Sequence, residues 1–201
     1  MNQQTKKICK NNREFFFYHR VIFFMICIVT PFCGQAQKSP RPGFEIETDP
    51  LAYLLQGYSV HVAVTYGGFR TSVGTYGIKP PDFLKSNDSF YVFTSGFDFK
   101  TDYMFGDVKG FYAGIQATYA KDHIGLKDAS CREDLWGLNI GIRGGYRFLF
   151  GKPENQYSGF YITPWVALMY NPSRKTVQHG NEEYKQATWV PFPTLHLGWR
   201  F

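Results

Sequence analysis

From residue 44 to the end of the chain, large apolar side chains recur at every second position. A period of two is the mark of β-strands whose two faces meet different surroundings. FEIETD (44–49) puts Phe44, Ile46 and Thr48 on one face and Glu45, Glu47 and Asp49 on the other. YSVHVAVTY (58–66) sets Tyr58, Val60, Val62, Val64 and Tyr66 against Ser59, His61, Ala63 and Thr65. Gly67-Gly68 then reads as a two-residue hairpin turn, and FRTSVGTYGI (69–78), which alternates poorly, as the next strand. The clearest segment is YVFTSGFDFKTDYMF (91–105), aromatic at 91, 93, 97, 99, 103 and 105 and carrying Asp98, Lys100 and Asp102 on its other face. FYAGIQATY (111–119) and WGLNIGIRGGYRFLF (136–150) repeat the pattern, the latter with Arg143 and Arg147 opposite its apolar stripe. FYITPWVALMY (160–170) and the terminal PTLHLGWRF (193–201) bring the count to eight strands.

The links between them run to about 8, 2, 10, 5, 13, 9 and 17 residues, long alternating with short. That alternation predicts an all-β, eight-stranded antiparallel up-and-down transmembrane barrel with long loops on one rim and turns on the other. Eight strands leave room inside for side chains only, so the inward charges should form a packed polar interior. Pro164, Pro191 and Pro193 disturb the picture, because proline lacks a ladder donor. Either the last strand is regular only from about Thr194, or these prolines sit at bulges near the outer rim.

Composition supports a lipid-facing wall. The 201 residues are 19 % aromatic, with 20 Phe, 14 Tyr and 20 Gly, and mean hydropathy is only −0.29, unlike the aliphatic core of a soluble domain. The first 36 residues form a separate object. Lys6, Lys7, Lys10, Arg13 and Arg20 precede the apolar run 21–32, and Gly34 and Ala36 offer a small-residue cleavage site before Gln37. This is the pattern of a secretory signal peptide, followed by a short leader at 37–43. Twelve apolar residues are too few to cross ~30 Å of hydrocarbon as a helix. Phe32 before Cys33 argues against lipidation there. Losing 1–36 lowers the net charge from +6 to +2, so nothing favours nucleic-acid binding. Cys131 stays alone, and no intramolecular disulfide is available.

These features resemble the small outer-membrane β-barrels of Gram-negative bacteria, the OmpA/OmpX-like architecture. The resemblance rests on the signal peptide, eight alternating strands and the terminal LHLGWRF. It implies an outer-membrane protein set among outer-membrane lipids. It also implies that Leu195, Leu197, Trp199 and Phe201 are the signal read by the barrel assembly machinery. It says little of activity, since the fold hosts adhesins, anchors and lipid-modifying enzymes.

Chemistry is therefore sought on the inner face. If the first loop is symmetric about Leu54, Glu47 faces His61, and His196 on the last strand stands at a matching height. A carboxylate that orients a histidine is what a general base needs, so Glu47, His61 and His196 are the catalytic candidates, with Ser59 and Thr194 as nucleophiles. The same three could hold a divalent metal. The competing reading is an electrostatic plug that includes Glu45, Asp98, Lys100, Asp102, Arg143, Arg147 and Arg200. The expected function is a monomeric structural or surface-interaction envelope protein without cofactor or metal. The alternative is a lipid- or peptidoglycan-acting hydrolase; Lys100, Arg143, Arg147 and Trp165 argue against a narrow pore. DPLAYLLQG (49–57) reads as a short helix capped by Asp49 and Pro50, lidding the barrel, or as a strand extension broken by Pro50. The segments 79–88, 121–134 and 171–186 read as polar loops in which His123 and His179 play no special part.

Overall fold

The computed structural model describes residues 42–106, 108–127 and 132–201. The signal-peptide and leader expectations, up to residue 41, and Cys131 lie outside the described residues. Eight strands close into an antiparallel barrel: β1 (Gly43–Thr48), β2 (Tyr58–Tyr66), β3 (Phe69–Ile78), β4 (Phe90–Met104), β5 (Gly110–Leu126), β6 (Glu133–Leu149), β7 (Gly159–Tyr170) and β10 (Trp189–Arg200). Each pairs with its neighbour in sequence, and β1 closes on β10. Between β7 and β10 lies a separate two-stranded hairpin, β8 (Thr176–His179) and β9 (Glu182–Lys185).

The predicted faces are the observed ones. Glu45, Glu47, His61, Asp98, Lys100, Asp102, Arg143, Arg147, His196 and Arg200 are all buried inside, while Phe97, Phe111, Ile115, Ile142 and Phe148 stand outside. The exposed apolar residues occur on every wall strand, a patch well beyond the few hundred Å² that a water-soluble monomer shows. On β5 this band runs from Phe111 to Tyr119. Eight residues rise about 27 Å along the strand, or about 20 Å along the axis at a tilt of ~40°, close to the apolar belt of a membrane barrel.

The prolines are accommodated in a third way. The β7–β10 register runs unbroken from Trp189↔Tyr170 to Arg200↔Gly159, without a bulge. The Phe201 amide donates to the Phe44 carbonyl on β1. By alternation, the Pro191 and Pro193 nitrogens face that same side, where β1 has already ended at Thr48. No ladder bond is lost. Pro164 faces β6, and there the pairing lapses at Tyr146 and Arg147 before resuming in the same register.

Two segments expected to be loops are strands. β5 continues to Leu126 and β6 begins at Glu133, so 121–134 shrinks to a link at 127–132. Above the apolar band the outward face has no need of hydrophobic residues, so Lys121 and His123 hid a ladder that simply continues. Within 171–186 the β8–β9 hairpin folds over the mouth. Val177 and Tyr184 pack on Phe90, Val92 and Ile124, each worth about 1.5–3 kcal/mol of burial. The interior is therefore not polar throughout: this cluster fills its outer end, and Met104, Tyr112, Trp165, Ala167 and Met169 form a second apolar group.

The segment after β1 is the expected helix, α1 (Pro50–Leu54). Asp49 accepts from the Leu51 amide at 2.8 Å, and Pro50 occupies the first turn. It buries Ala52 and touches β2, β3 and β10 across the rim above the end of β1. No described helix is long and apolar enough to cross a membrane, which says nothing about strands.

Candidate functional site

The polar groups inside the barrel are brought together across glycines. In an eight-stranded cylinder a side chain has little room to pass its neighbour on the next strand. Here the intervening strand repeatedly supplies a residue without one. His61, Gly74 and Asp98 share a rung, and the imidazole Nε2–H donates to Asp98 Oδ2 at 2.9 Å. Asp102, Gly114 and Arg143 share another, with Arg143 Nε 3.5 Å from Asp102 Oδ1. On a third, the Tyr161 hydroxyl reaches over Gly198 and donates to Glu47 Oε2 at 3.0 Å. A Cβ on Gly74 would fall on the His61 ring, and one on Gly198 would fall on the Tyr161 phenol. Gly74→Ala is expected to destabilise the barrel by about 1–3 kcal/mol through overpacking, read as a lower urea midpoint. Gly137→Ala, with nothing within 4 Å of its added carbon, should leave the midpoint in place.

Glu45 is the most crowded carboxylate. Arg147 Nη2 stands 2.7 Å, Arg200 Nη1 2.8 Å and Arg70 Nε 2.9 Å from its oxygens, and Thr65 donates to it at 2.7 Å. Glu47 pairs with Arg70 Nη2 at 2.7 Å and lies 2.9 Å from His196 Nδ1. Arg70 also stands 3.5 Å from Asp102, so one guanidinium ties three carboxylates. Lys100 lies 3.3 Å from Asp98, and Arg143 lies over Trp165 with its guanidinium carbon 4.2 Å from the ring centre. Among the described residues the buried cations Arg70, Lys100, Arg143, Arg147 and Arg200 match the buried acids Glu45, Glu47, Asp49, Asp98 and Asp102 in number. Such a plug carries no formal charge to select an ion.

The proposed constellation does converge. Glu47 is the register partner of His61, and the two imidazoles stack 5.1 Å apart. The three side chains offer ligand atoms within 4.8 Å of one another. Yet the carboxylate that orients His61 is Asp98, not Glu47, and the Ser59 hydroxyl donates to Nδ1 at 3.2 Å. Ser59, His61 and Asp98 thus stand in a hydrogen-bonded series resembling a hydrolytic relay. All three are at least nine-tenths buried, and both His61 nitrogens are in use. Arg70 occupies Glu47, so a metal would have to displace these partners. Thr194 donates instead to Asp49 at 2.5 Å and has no histidine. Arg70 was the main residue missed, because strand 69–78 alternates weakly. The Gly67-Gly68 turn pairs it with inward Thr65, and that symmetry was available in the sequence.

The loop rim is ordered by its own contacts. The Gln186 amide donates to Asp122 at 2.7 Å, and Asn87 donates to Glu182 at 2.6 Å. Together these hold the hairpin down. Burial there, reinforced by Asp122, pushes the Tyr184 phenol up to about 12, which keeps it neutral against the apolar cluster. On the open surface the hydrogen bond and charge of Lys85 hold the Asp82 carboxyl below its ordinary value.

No known protein-family profile matches this chain, and no curated protein does. Among solved structures it is similar to the N-terminal β-barrel domain of Pseudomonas aeruginosa OprF, at 14 % identity and a TM-score of 0.44, over 81 % of this chain and all of that one. A major outer membrane protein from Thermus thermophilus gives 11 % identity and 0.45, over 80 % of this chain and all of that one. Neisserial surface protein A gives 12 % and 0.41, over 82 % and all of its chain. These are likenesses of fold and assign no ligand or activity. The closed eight-stranded antiparallel barrel, apolar without and ion-paired within, is the architecture of the small outer-membrane barrels.

Proposed function

We propose that this chain is an integral outer-membrane protein, exported with a cleaved signal peptide at 1–36. It serves as a monomeric structural or surface-interaction component of the envelope. The observation that carries this reading is the opposition of the two faces: an apolar wall around a charge-balanced, sealed interior. In lipid, closure of β1 on β10 pairs the strand edges from Glu45↔Arg200 to Thr48↔Leu197, and beyond Thr48 the prolines Pro191 and Pro193 remove two donors from the edge of β10. The long links on one rim are the surface left to meet a partner. Trp199 and Phe201 face outward at the end of the last strand, which supports their role, with Leu195 and Leu197, as an assembly signal. The hydrolase alternative needs a nucleophile open to substrate, and Ser59 at 1 % exposure gives it little support.

The test is direct. The protein refolded without 1–36 is expected to migrate differently on gels when unheated, as closed barrels do. In planar bilayers it should pass no resolved channel current. Stepwise conductance would mean an open lumen and would end the plug reading.

A further inference from the structure

On the loop side β4, β5 and β6 continue beyond the closed wall as a three-stranded sheet, and the β6 edge of that sheet is bare. The β5–β6 ladder runs up to Ile124↔Glu133, whereas the β6–β7 ladder stops at Ile140↔Tyr170. The backbone groups of a strand face its two neighbours by turns. The Phe150 amide donates to the Phe160 carbonyl across from β6 at 3.1 Å, so the even-numbered residues of β6 face the β7 side. Asp134, Trp136 and Leu138 therefore turn their N–H and C=O groups to a side where, among the described residues, no strand lies. The one bond made to this edge by a described residue comes from Lys175, whose Nζ donates to the Trp136 carbonyl at 3.3 Å. Trp136 is about 16 Å of strand from the nearest undescribed position, and both Trp136 and Leu138 are exposed.

The departure of β7 has a local cause. In the same register Pro172 would stand opposite Leu138, and proline has no amide to give the Leu138 carbonyl. Asn171 turns the chain instead, its side chain accepting from the Ser173 amide at 3.1 Å. Other edges are closed. Pro191 and Pro193 blunt β10 above Thr48, and at the far side of the same sheet the Phe90 amide donates to the Asn87 carbonyl while its own carbonyl accepts from Lys85. Proline, lysine or a bulge normally protects an exposed strand. Leu135 to Asn139 carry no proline or lysine, and their register on β5 is unbroken. Gly137 adds a vacancy on the inner face: a Cβ there would meet nothing within 4 Å, next to Leu135, which packs on the Phe90 cluster.

We infer that the β6 edge from Asp134 to Leu138 is a docking site for an extended segment of another protein, which joins the sheet as a strand antiparallel to β6 and lays a large apolar side chain over Gly137. A row of bare donors and acceptors at strand spacing is complementary to another extended backbone, and Lys175 is a single side chain for it to displace. Antiparallel pairing is the stronger per residue, and an aromatic ring laid across a strand glycine stabilises such a pair. A second copy does not fit. Two barrels upright in one membrane have their β6 strands running the same way, and with each tilted ~40° the strands cross at a wide angle. The inference rests on the surface-interaction reading above and names the class of partner.

The probe is the blocked hexapeptide Thr-Phe-Thr-Val-Thr-Lys, fluorescently labelled and titrated onto the refolded barrel in detergent. Its affinity is read by anisotropy and its position by NMR amide exchange. Saturating peptide is expected to slow exchange at Trp136 and Leu138 about ten-fold or more, the worth of one or two hydrogen bonds. Leu135 and Gly137, whose amides already face β5, should not change. Methylating the amides of the two Thr that flank Phe, which face β6, should abolish binding, whereas methylating the Phe and Val amides, which face away, should leave it. Leu138→Pro removes one edge donor without touching the β5 ladder and should weaken the peptide about ten-fold. Replacing the peptide's Phe by Ala should weaken it too, and Gly137→Trp, whose own ring takes the vacancy, should remove that difference. Gel migration checks that each variant is a closed barrel, so loss of the barrel is separable from loss of the edge. Equal binding of the two methylated peptides, bound peptide without protection at Trp136 and Leu138, or no binding to the folded wild type at millimolar peptide would overturn the proposal.

Discussion

Glu45→Gln is expected to lower the unfolding free energy of the refolded barrel by about 3–5 kcal/mol, or to prevent folding outright. The substitution keeps the shape of the side chain and removes one charge. That charge faces three guanidinium groups, of Arg70, Arg147 and Arg200, each within 2.9 Å of a carboxylate oxygen. All four side chains are at least 95 % buried. Without it, three cations are left sharing a space that water does not reach, and the desolvation cost of each is no longer offset. The measurement is urea unfolding in lipid vesicles, followed by tryptophan fluorescence and gel migration. Glu183→Gln, which breaks an exposed pair with Lys185, serves as the comparison and should shift the midpoint little. Equal small effects at the two positions would mean that the interior is hydrated and the plug is not sealed.

The second large effect lies on the opposite face. Ile142 is 66 % exposed near the middle of the outer wall. In water, Ile142→Arg would be neutral or mildly favourable. Against acyl chains the same change is expected to cost about 2–4 kcal/mol, the depth-dependent cost of a cation at the bilayer midplane. Trp136→Arg, near the outer edge of the band, should cost no more than about 1 kcal/mol plus the loss of its stacking on Tyr119. The sign at Ile142 therefore decides which solvent the wall meets. Unfolding midpoints of the two variants in vesicles read it out, and a stabilised Ile142→Arg would remove the membrane assignment.

Much of this molecule was legible before any coordinates, for a geometric reason. Strand side chains alternate strictly, so wherever one face meets lipid and the other a closed lumen, the letters alternate too. FDFKTDY declares Asp98, Lys100 and Asp102 to be inward, and the structure places them there. The pairing of Glu47 with His61 followed from loop symmetry alone. The signal weakened where that contrast of solvents vanished. Beyond Tyr119 the outward face of β5 carries Lys121 and His123 and Ile124 packs inside, so Lys121 to Leu126 looked like a loop although the ladder continues. The hairpin at β8 and β9 has four-residue strands, too short for periodicity to speak, and its docking of Val177 and Tyr184 with the bonds at Asp122 and Glu182 orders it.

Alternation determines which way a residue points, and it did so here for nearly every position of the wall. It does not determine which inward residue meets which, because that depends on what the intervening strand leaves free. His61 joins Asp98 rather than Glu47 because Gly74 stands between them, and Glu47 is claimed by Arg70, Tyr161 and His196 from three other strands. The composition of the interior belongs to the chain as written. Its pairing arises only when eight strands close into a cylinder so narrow that every missing side chain becomes a passage for another.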